Sequence, residues 1–115
     1  MKTLFILNDP PYGTERGYNA LRLARSLAKA GAELRVFLLG DAAACAAAGQ
    51  KVPPGYYNVA DMLDAVHRHG GTIGVCGTCM DARGIATDHL VDGAHRGSMD
   101  ELAEWAQWAD KVLVF

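Results

Sequence analysis

The sequence predicts an α/β fold: a three-layer α/β/α domain built on a mostly parallel sheet of about five strands. Two observations carry this. Short apolar runs without polar alternation recur at Leu4-Phe5-Ile6-Leu7, Leu34 to Leu39, Thr72 to Val75 and Val112 to Phe115, the pattern of parallel strands covered on both faces. Helical patterns lie between most of them, and strands alternating with helices of this length form layered domains. The chain of 115 residues reads as one domain, 1–115. A chain this long buries roughly two-thirds of its unfolded surface and needs no disulfide or metal to fold.

Taken in order, the first strand is Leu4 to Leu7. Thr14 is a candidate N-cap for the helix that follows, in which Ala20, Leu21, Ala24, Leu27 and Ala28 form one apolar stripe and Gly31 ends the pattern. After the strand Leu34 to Leu39, Asp41 is placed to cap an alanine-rich helix ending near Gly49. Gln50 to Tyr57, with Pro53-Pro54-Gly55, reads as a surface loop. Asn58 caps the next helix, whose stripe is Val59, Met62, Leu63 and Val66 before Gly70-Gly71 breaks it. Val91 to His95 is a further short strand, weakened by Asp92-Gly93. Ser98 and Glu101 have capping-box spacing, with Leu102, Trp105, Ala106 and Ala109 as the core face of the last helix. Trp108 falls off that stripe and is expected at the surface.

Composition excludes several classes of function. With 50% apolar and 21% charged residues the chain is globular in character, not disordered. A formal charge of −2 gives no electrostatic footprint for nucleic acid or an anionic membrane. The N-terminal apolar run is too short for a signal segment or a membrane span, so a cytoplasmic location is expected. Three cysteines, an odd number, argue against a disulfide framework there and leave catalysis, metal binding or burial.

In open parallel sheets, ligands bind beyond the carboxyl ends of the strands. The segment Cys76-Gly77-Thr78-Cys79-Met80-Asp81-Ala82-Arg83-Gly84 follows a buried strand directly and should begin a short helix. Cys76 then stands at a helix N-terminus, where unpaired amides and the dipole favour a thiolate by about 0.3–1 kcal/mol, and up to about 2 kcal/mol when partly buried. Arg83 is the nearby cation that would add to this. Cys79, three residues on, shares a side with Cys76 and can close a disulfide or resolve a modified Cys76. The alternative reading is that both are small buried residues of the strand–helix junction; the functional reading is preferred for Cys76, while for Cys79 the two stand level. Cys45, among alanines, reads as packing.

One Cys-x-x-Cys offers two of the four ligands a structural zinc needs, and His67 and His69 cannot share a helix face, so no metal site is expected. The loop Asn8-Asp9-Pro10-Pro11-Tyr12-Gly13-Thr14-Glu15-Arg16 joins turn residues to polar groups at a helix start. It can hold an anion or small ligand, or serve only as a turn. Lys51, Tyr56 and Tyr57 have the same two readings. Dinucleotide and Walker patterns are absent, and no cofactor is expected.

These residues together closely resemble the DsrE/DsrF-like family, in its YchN-like branch. The matching features are Asn8 with Pro11-Tyr12-Gly13-Thr14-Glu15, Leu21-Arg22-Leu23-Ala24, Gly49-Gln50-Lys51 with Tyr57-Asn58, Cys76-x-Thr78-Cys79-x-Asp81-x-Arg83-Gly84-Ile85, Asp92-Gly93, and Ala109 to Phe115. The resemblance implies an α/β/α fold of flavodoxin-like appearance, assembly into trimers or hexamers, and sites near subunit boundaries. Sulfur-relay members carry sulfur as a persulfide on one cysteine at the spacing of Cys76 from Arg83-Gly84. It therefore implies sulfur acceptance at Cys76, with donor and acceptor proteins as partners; Cys79 has no counterpart in those relay subunits. The alternatives are thiol–disulfide redox through Cys76 and Cys79, or a ring-forming binding subunit without catalysis.

Overall fold

The structure, a computed structural model, describes all 115 residues. Its elements are β1 (Lys2–Leu7), α1 (Arg16–Lys29), β2 (Glu33–Leu38), α2 (Val59–Arg68), β3 (Thr72–Cys76), α3 (Gly77–Ala82), β4 (Ala94–Gly97), α4 (Met99–Trp108) and β5 (Lys111–Val114), with 3₁₀ turns at Gly40–Ala46 and Thr87–His89. The five strands form one all-parallel sheet in the order β4-β3-β2-β1-β5. The expected α/β architecture is therefore present.

The strand order explains where the helices lie. From β1 to β4 the chain marches one way across the sheet, and right-handed crossovers then keep every connection on one face. Returning from β4 to β5, beyond β1, reverses the direction and puts α4 on the other face. Two cores result. Phe5, Leu7, Val36, Leu38, Ile73 and Val75 pack under α1, α2, α3 and the Gly40–Ala46 turn, and each fully buried side chain of this size stabilises the fold by about 1.5–3 kcal/mol. Leu4 and Phe37 pack under Leu102 and Trp105 of α4.

Most local signals act as expected. Asn58 caps α2 by accepting a hydrogen bond from the Asp61 N–H at 3.1 Å, and Ser98 caps α4 through the Glu101 N–H at 3.2 Å. Gly31 takes a φ of 93° beyond α1, a conformation that glycine adopts without a Cβ penalty.

Five expectations are corrected. Thr14 lies outside α1, whose N-cap is Glu15 with no side-chain bond; the Thr14 hydroxyl instead donates to Asp9 at 2.8 Å. The alanine-rich segment is a 3₁₀ turn that ends at Ala46, with Leu39 as N-cap in place of Asp41. Its exit is pulled into extended backbone, because the Ala48 N–H bonds to the His89 carbonyl and the Val91 N–H to the Ala46 carbonyl, both at 2.8 Å. The strand expected at Val91–His95 starts at Ala94, after a turn in which Gly93 has a φ of 84°. Ala106 is exposed. Trp108 is half-buried, because the Arg35 guanidinium of β2 stacks 3.9 Å from its ring. No helix is long and apolar enough to cross a membrane.

Candidate functional site

The carboxyl ends of β1, β2 and β3 bring three loops to one edge, and the cysteine pair sits at the end of β3. Cys76 is both the last residue of that strand and the N-cap of α3. Its sulfur accepts the Cys79 N–H at 3.3 Å and lies 3.4 Å from the Thr78 hydroxyl. Cys79 Sγ accepts the Gly40 N–H at 3.2 Å, from the loop after β2. Each sulfur therefore faces a backbone donor that would stabilise negative charge on it. A disulfide joins Cys76 and Cys79, whose Cα atoms are 5.2 Å apart. Both cysteines are half-buried, so neither is sealed in the core.

Two arginines frame α3. Arg83 donates to the Cys79 carbonyl at 3.0 Å and to Asp41 Oδ1 at 2.6 Å and 3.1 Å. It thus closes the far end of the helix against the loop after β2, and is held there by an aspartate rather than standing at Cys76. The cation at the near end is Arg96 of β4, which sequence reasoning missed. A Cβ on Gly77 would meet its Cζ at 2.8 Å, so glycine is what lets the guanidinium lie against the first residue of α3. Arg96 grips Asp81 with two bonds of 2.8 Å and 2.9 Å. Those hydrogen bonds, then the guanidinium charge, hold the Asp81 carboxyl below the usual carboxylate range. No local signal announces Arg96; only the β3–β4 register brings it to Gly77.

Asn8 lies at the end of β1 but turns to the other neighbour: its backbone and side-chain N–H groups both donate to the Phe115 carbonyl, at 3.0 Å and 3.1 Å. Gly13 and Thr14 stay on the exposed loop between β1 and α1. Tyr12 adopts a φ of 68°, strained for a residue with a Cβ. Its hydroxyl accepts the Val59 N–H at 3.1 Å and donates to Gln50. Tyr12, Lys51, Tyr56 and Tyr57 line an open cleft of about 460 Å³. No cysteine lines it, so the structure splits the expected residues into two places: Cys76, Cys79 and Arg83 at α3, and Tyr12 and Lys51 at the tyrosine cleft.

Cys45 is fully buried beside Asp9, its Sγ 3.7 Å from the Asp9 carbonyl. Burial pushes its thiol up to about 12, which makes it an inert packing residue. No three His, Cys, Asp or Glu side chains are placed to hold a metal ion.

An all-parallel α/β sheet with helices on both faces and a Cys-x-x-Cys at a strand–helix junction defines a three-layer α/β protein with a paired-cysteine site. The model of the DsrE/DsrF-like family matches residues 1–115, and the chain belongs to that family. Protein YchN of Escherichia coli K12 is 41% identical over 99% of this chain and 98% of its own length. The uncharacterized protein MJ0989 of Methanocaldococcus jannaschii is 34% identical over the full length of both. The crystal structure of E. coli ychN superposes with a TM-score of 0.94 at 41% identity, covering 100% of this chain and 99% of that one. MTH1491 from Methanobacterium thermoautotrophicum, at 11% identity, shares the fold with a TM-score of 0.81 over 99% and 98% of the two chains.

Proposed function

We propose that this protein accepts sulfane sulfur as a persulfide on Cys76 and passes it to a thiol acceptor. The observation that supports this most is the Cys76 sulfur at the start of α3, accepting the Cys79 N–H at 3.3 Å while remaining only half-buried. The backbone there stabilises the charge that both a thiolate and a persulfide carry. In the reduced protein the Cys76 thiolate attacks the outer sulfur of a donor persulfide. One sulfur–sulfur bond forms, the donor's breaks, and the donor leaves as its thiolate. An acceptor thiolate then takes the outer sulfur in the same way. Alternatively, Cys79 attacks Cys76 Sγ, closing the disulfide and releasing hydrosulfide; a dithiol reductant then reopens the pair.

The disulfide between Cys76 and Cys79 favours a second reading, thiol–disulfide exchange. The two separate cleanly. Reduced protein is incubated with a cysteine desulfurase and cysteine, and its intact mass is taken. Because Cys79 can expel the added sulfur from wild type, sulfur transfer predicts added sulfur on Cys79→Ser and none on Cys76→Ser. Unchanged Cys79→Ser mass alongside a reversible disulfide in wild type would leave only the exchange reading.

The proposal extends to a cytoplasmic homo-oligomer, trimer or hexamer. Val112 and Val114 of edge strand β5, 41% and 65% exposed, form an apolar strip on the side of the sheet that α4 covers, and this strip suits a second copy. Light scattering that returns the monomer mass would remove this part.

A further inference from the structure

Beyond the cysteine pair, the α4 side of the sheet holds an unassigned group of residues. There β3 presents Gly74 and Cys76, and β4 presents His95 and Gly97, paired Gly74 with His95 and Cys76 with Gly97. Cys76 packs against the Phe37, Leu102 and Trp105 cluster on this side, and the His95 ring meets Trp105 edge-on at 5.9 Å. The two glycines occupy one diagonal of this square. Their missing side chains leave a pit, and the Glu101 carboxylate of α4 fills it: a Cβ on Gly97 would stand 2.5 Å from Glu101 Oε1, and one on Gly74 3.0 Å from it.

His95 and Cys76 occupy the other diagonal, on either side of that carboxylate. His95 Nε2 lies 2.8 Å from both Glu101 oxygens. Paired strands run about 4.8 Å apart, so Glu101 Oε1 stands no more than roughly 7 Å from the Cys76 Cβ. In the disulfide the sulfur is turned to Cys79, and reduction frees it to rotate about χ1 toward the carboxylate, where one water can bridge the two. Glu101 also gives up a local role to be there. Ser98 caps its N–H at 3.2 Å, yet the carboxylate turns to His95 instead of back to Ser98 as a capping box would have it.

We propose that the Glu101–His95 pair is the proton acceptor of Cys76, an inference that rests on Cys76 being the reacting sulfur. In the reduced protein the Cys76 S–H bond breaks and its electron pair stays on sulfur. The proton crosses a bridging water to the pair, which holds it as an imidazolium on the carboxylate. It returns by the same route when a thiolate or hydrosulfide leaves. The other charges around the group are Arg35, stacked on Trp105 of the same face, and the Arg96–Asp81 pair at the start of α3.

The test follows the alkylation of Cys76 by iodoacetamide across pH in a Cys79→Ser background, alone and with Glu101→Gln or His95→Asn. Each variant is expected to slow the reaction about tenfold near pH 6.5, the effect of one pKa unit. All rates should converge above about pH 10, where a thiol ionises without help. Superimposed profiles overturn the proposal. So does a rate lowered equally at every pH, which is what structural damage alone would give. Should either variant be poorly folded, Glu101→Asp, which keeps the charge but draws it away from His95, takes its place and should slow the reaction against the parent by a smaller factor, again only at low pH. A profile identical to the parent's in that case overturns the proposal. Distinct profiles in a protein that takes up no sulfur would support the acceptor and overturn only the sulfur-carrier reading.

Discussion

Replacing Gly97 with alanine tests the packing of the site and its chemistry together. The added Cβ would meet Glu101 Oε1 at 2.5 Å and Phe37 Cε2 at 3.0 Å. Phe37 is fully buried, with its ring 5.7 Å from Trp105 in an edge-on contact, and cannot retreat. The glutamate must therefore leave, and its contact with His95 goes with it. Overpacking of this kind costs about 1–3 kcal/mol, partly offset by the roughly 0.4–1 kcal/mol that alanine removes from unfolded-chain entropy. The net loss centres on about 1.3 kcal/mol and reaches at most about 2.6 kcal/mol, the central value being roughly 5 °C in Tm for a domain this size. Gly13→Ala is the control, since its Cβ would make only an ordinary 3.5 Å contact with Pro10; its stability should change by less than about 0.5 kcal/mol. Thermal unfolding gives the stabilities, and alkylation of Cys76 near pH 6.5 reports the site. A Gly97→Ala protein as stable as the control, with unchanged Cys76 reactivity, would refute the reasoning.

Other outcomes follow from the same contacts. Cys45 keeps its proton to about 12 when folded, against 9.0 for a free thiol. The unfolded chain thus releases a proton first, and stability falls as pH rises through that window; in Cys45→Ala the fall, measured by urea unfolding at stepped pH, should be shallower. Asn58→Ala removes the α2 cap, at a cost of about 1 kcal/mol, together with the 3.3 Å bond from its amide to the Gln50 carbonyl; urea denaturation should show the loss without a change in slope. Asp81, held down by Arg96, contributes stability above its unfolded titration range and loses it as pH falls through the lower folded value. Carboxyl chemical shifts in Arg96→Met should return Asp81 to the ordinary range.

How much of this could be read from the sequence depends on how local each determinant is. The strands and the Asn58 and Ser98 caps rest on neighbours in sequence, so pattern and spacing reveal them. The alanine-rich segment has good helix propensity, yet Ala42, Ala43, Cys45 and Ala46 are buried and the segment is tied to residues 89–91, so tertiary bonds override propensity. Trp108 reads as exposed by helical phase, but its partner Arg35 comes from β2. Cys76 was legible because motif and strand end coincide. Arg96 and His95 were not, since each reaches its place only through the β3–β4 register. Glu101 was visible in the wrong role, because capping-box spacing says nothing of a histidine across the sheet edge.

The proposed sulfur chemistry requires that backbone amides at the start of α3 make Cys76 the most reactive sulfur in the chain. The direct measurement is to reduce the protein fully, add a small fraction of one equivalent of alkylating agent near pH 7, and map the label by peptide mass. Label on Cys76 in about tenfold excess over Cys79, with Cys45 untouched, is the predicted result. Equal labelling of the pair, or a preference for Cys79, would contradict it.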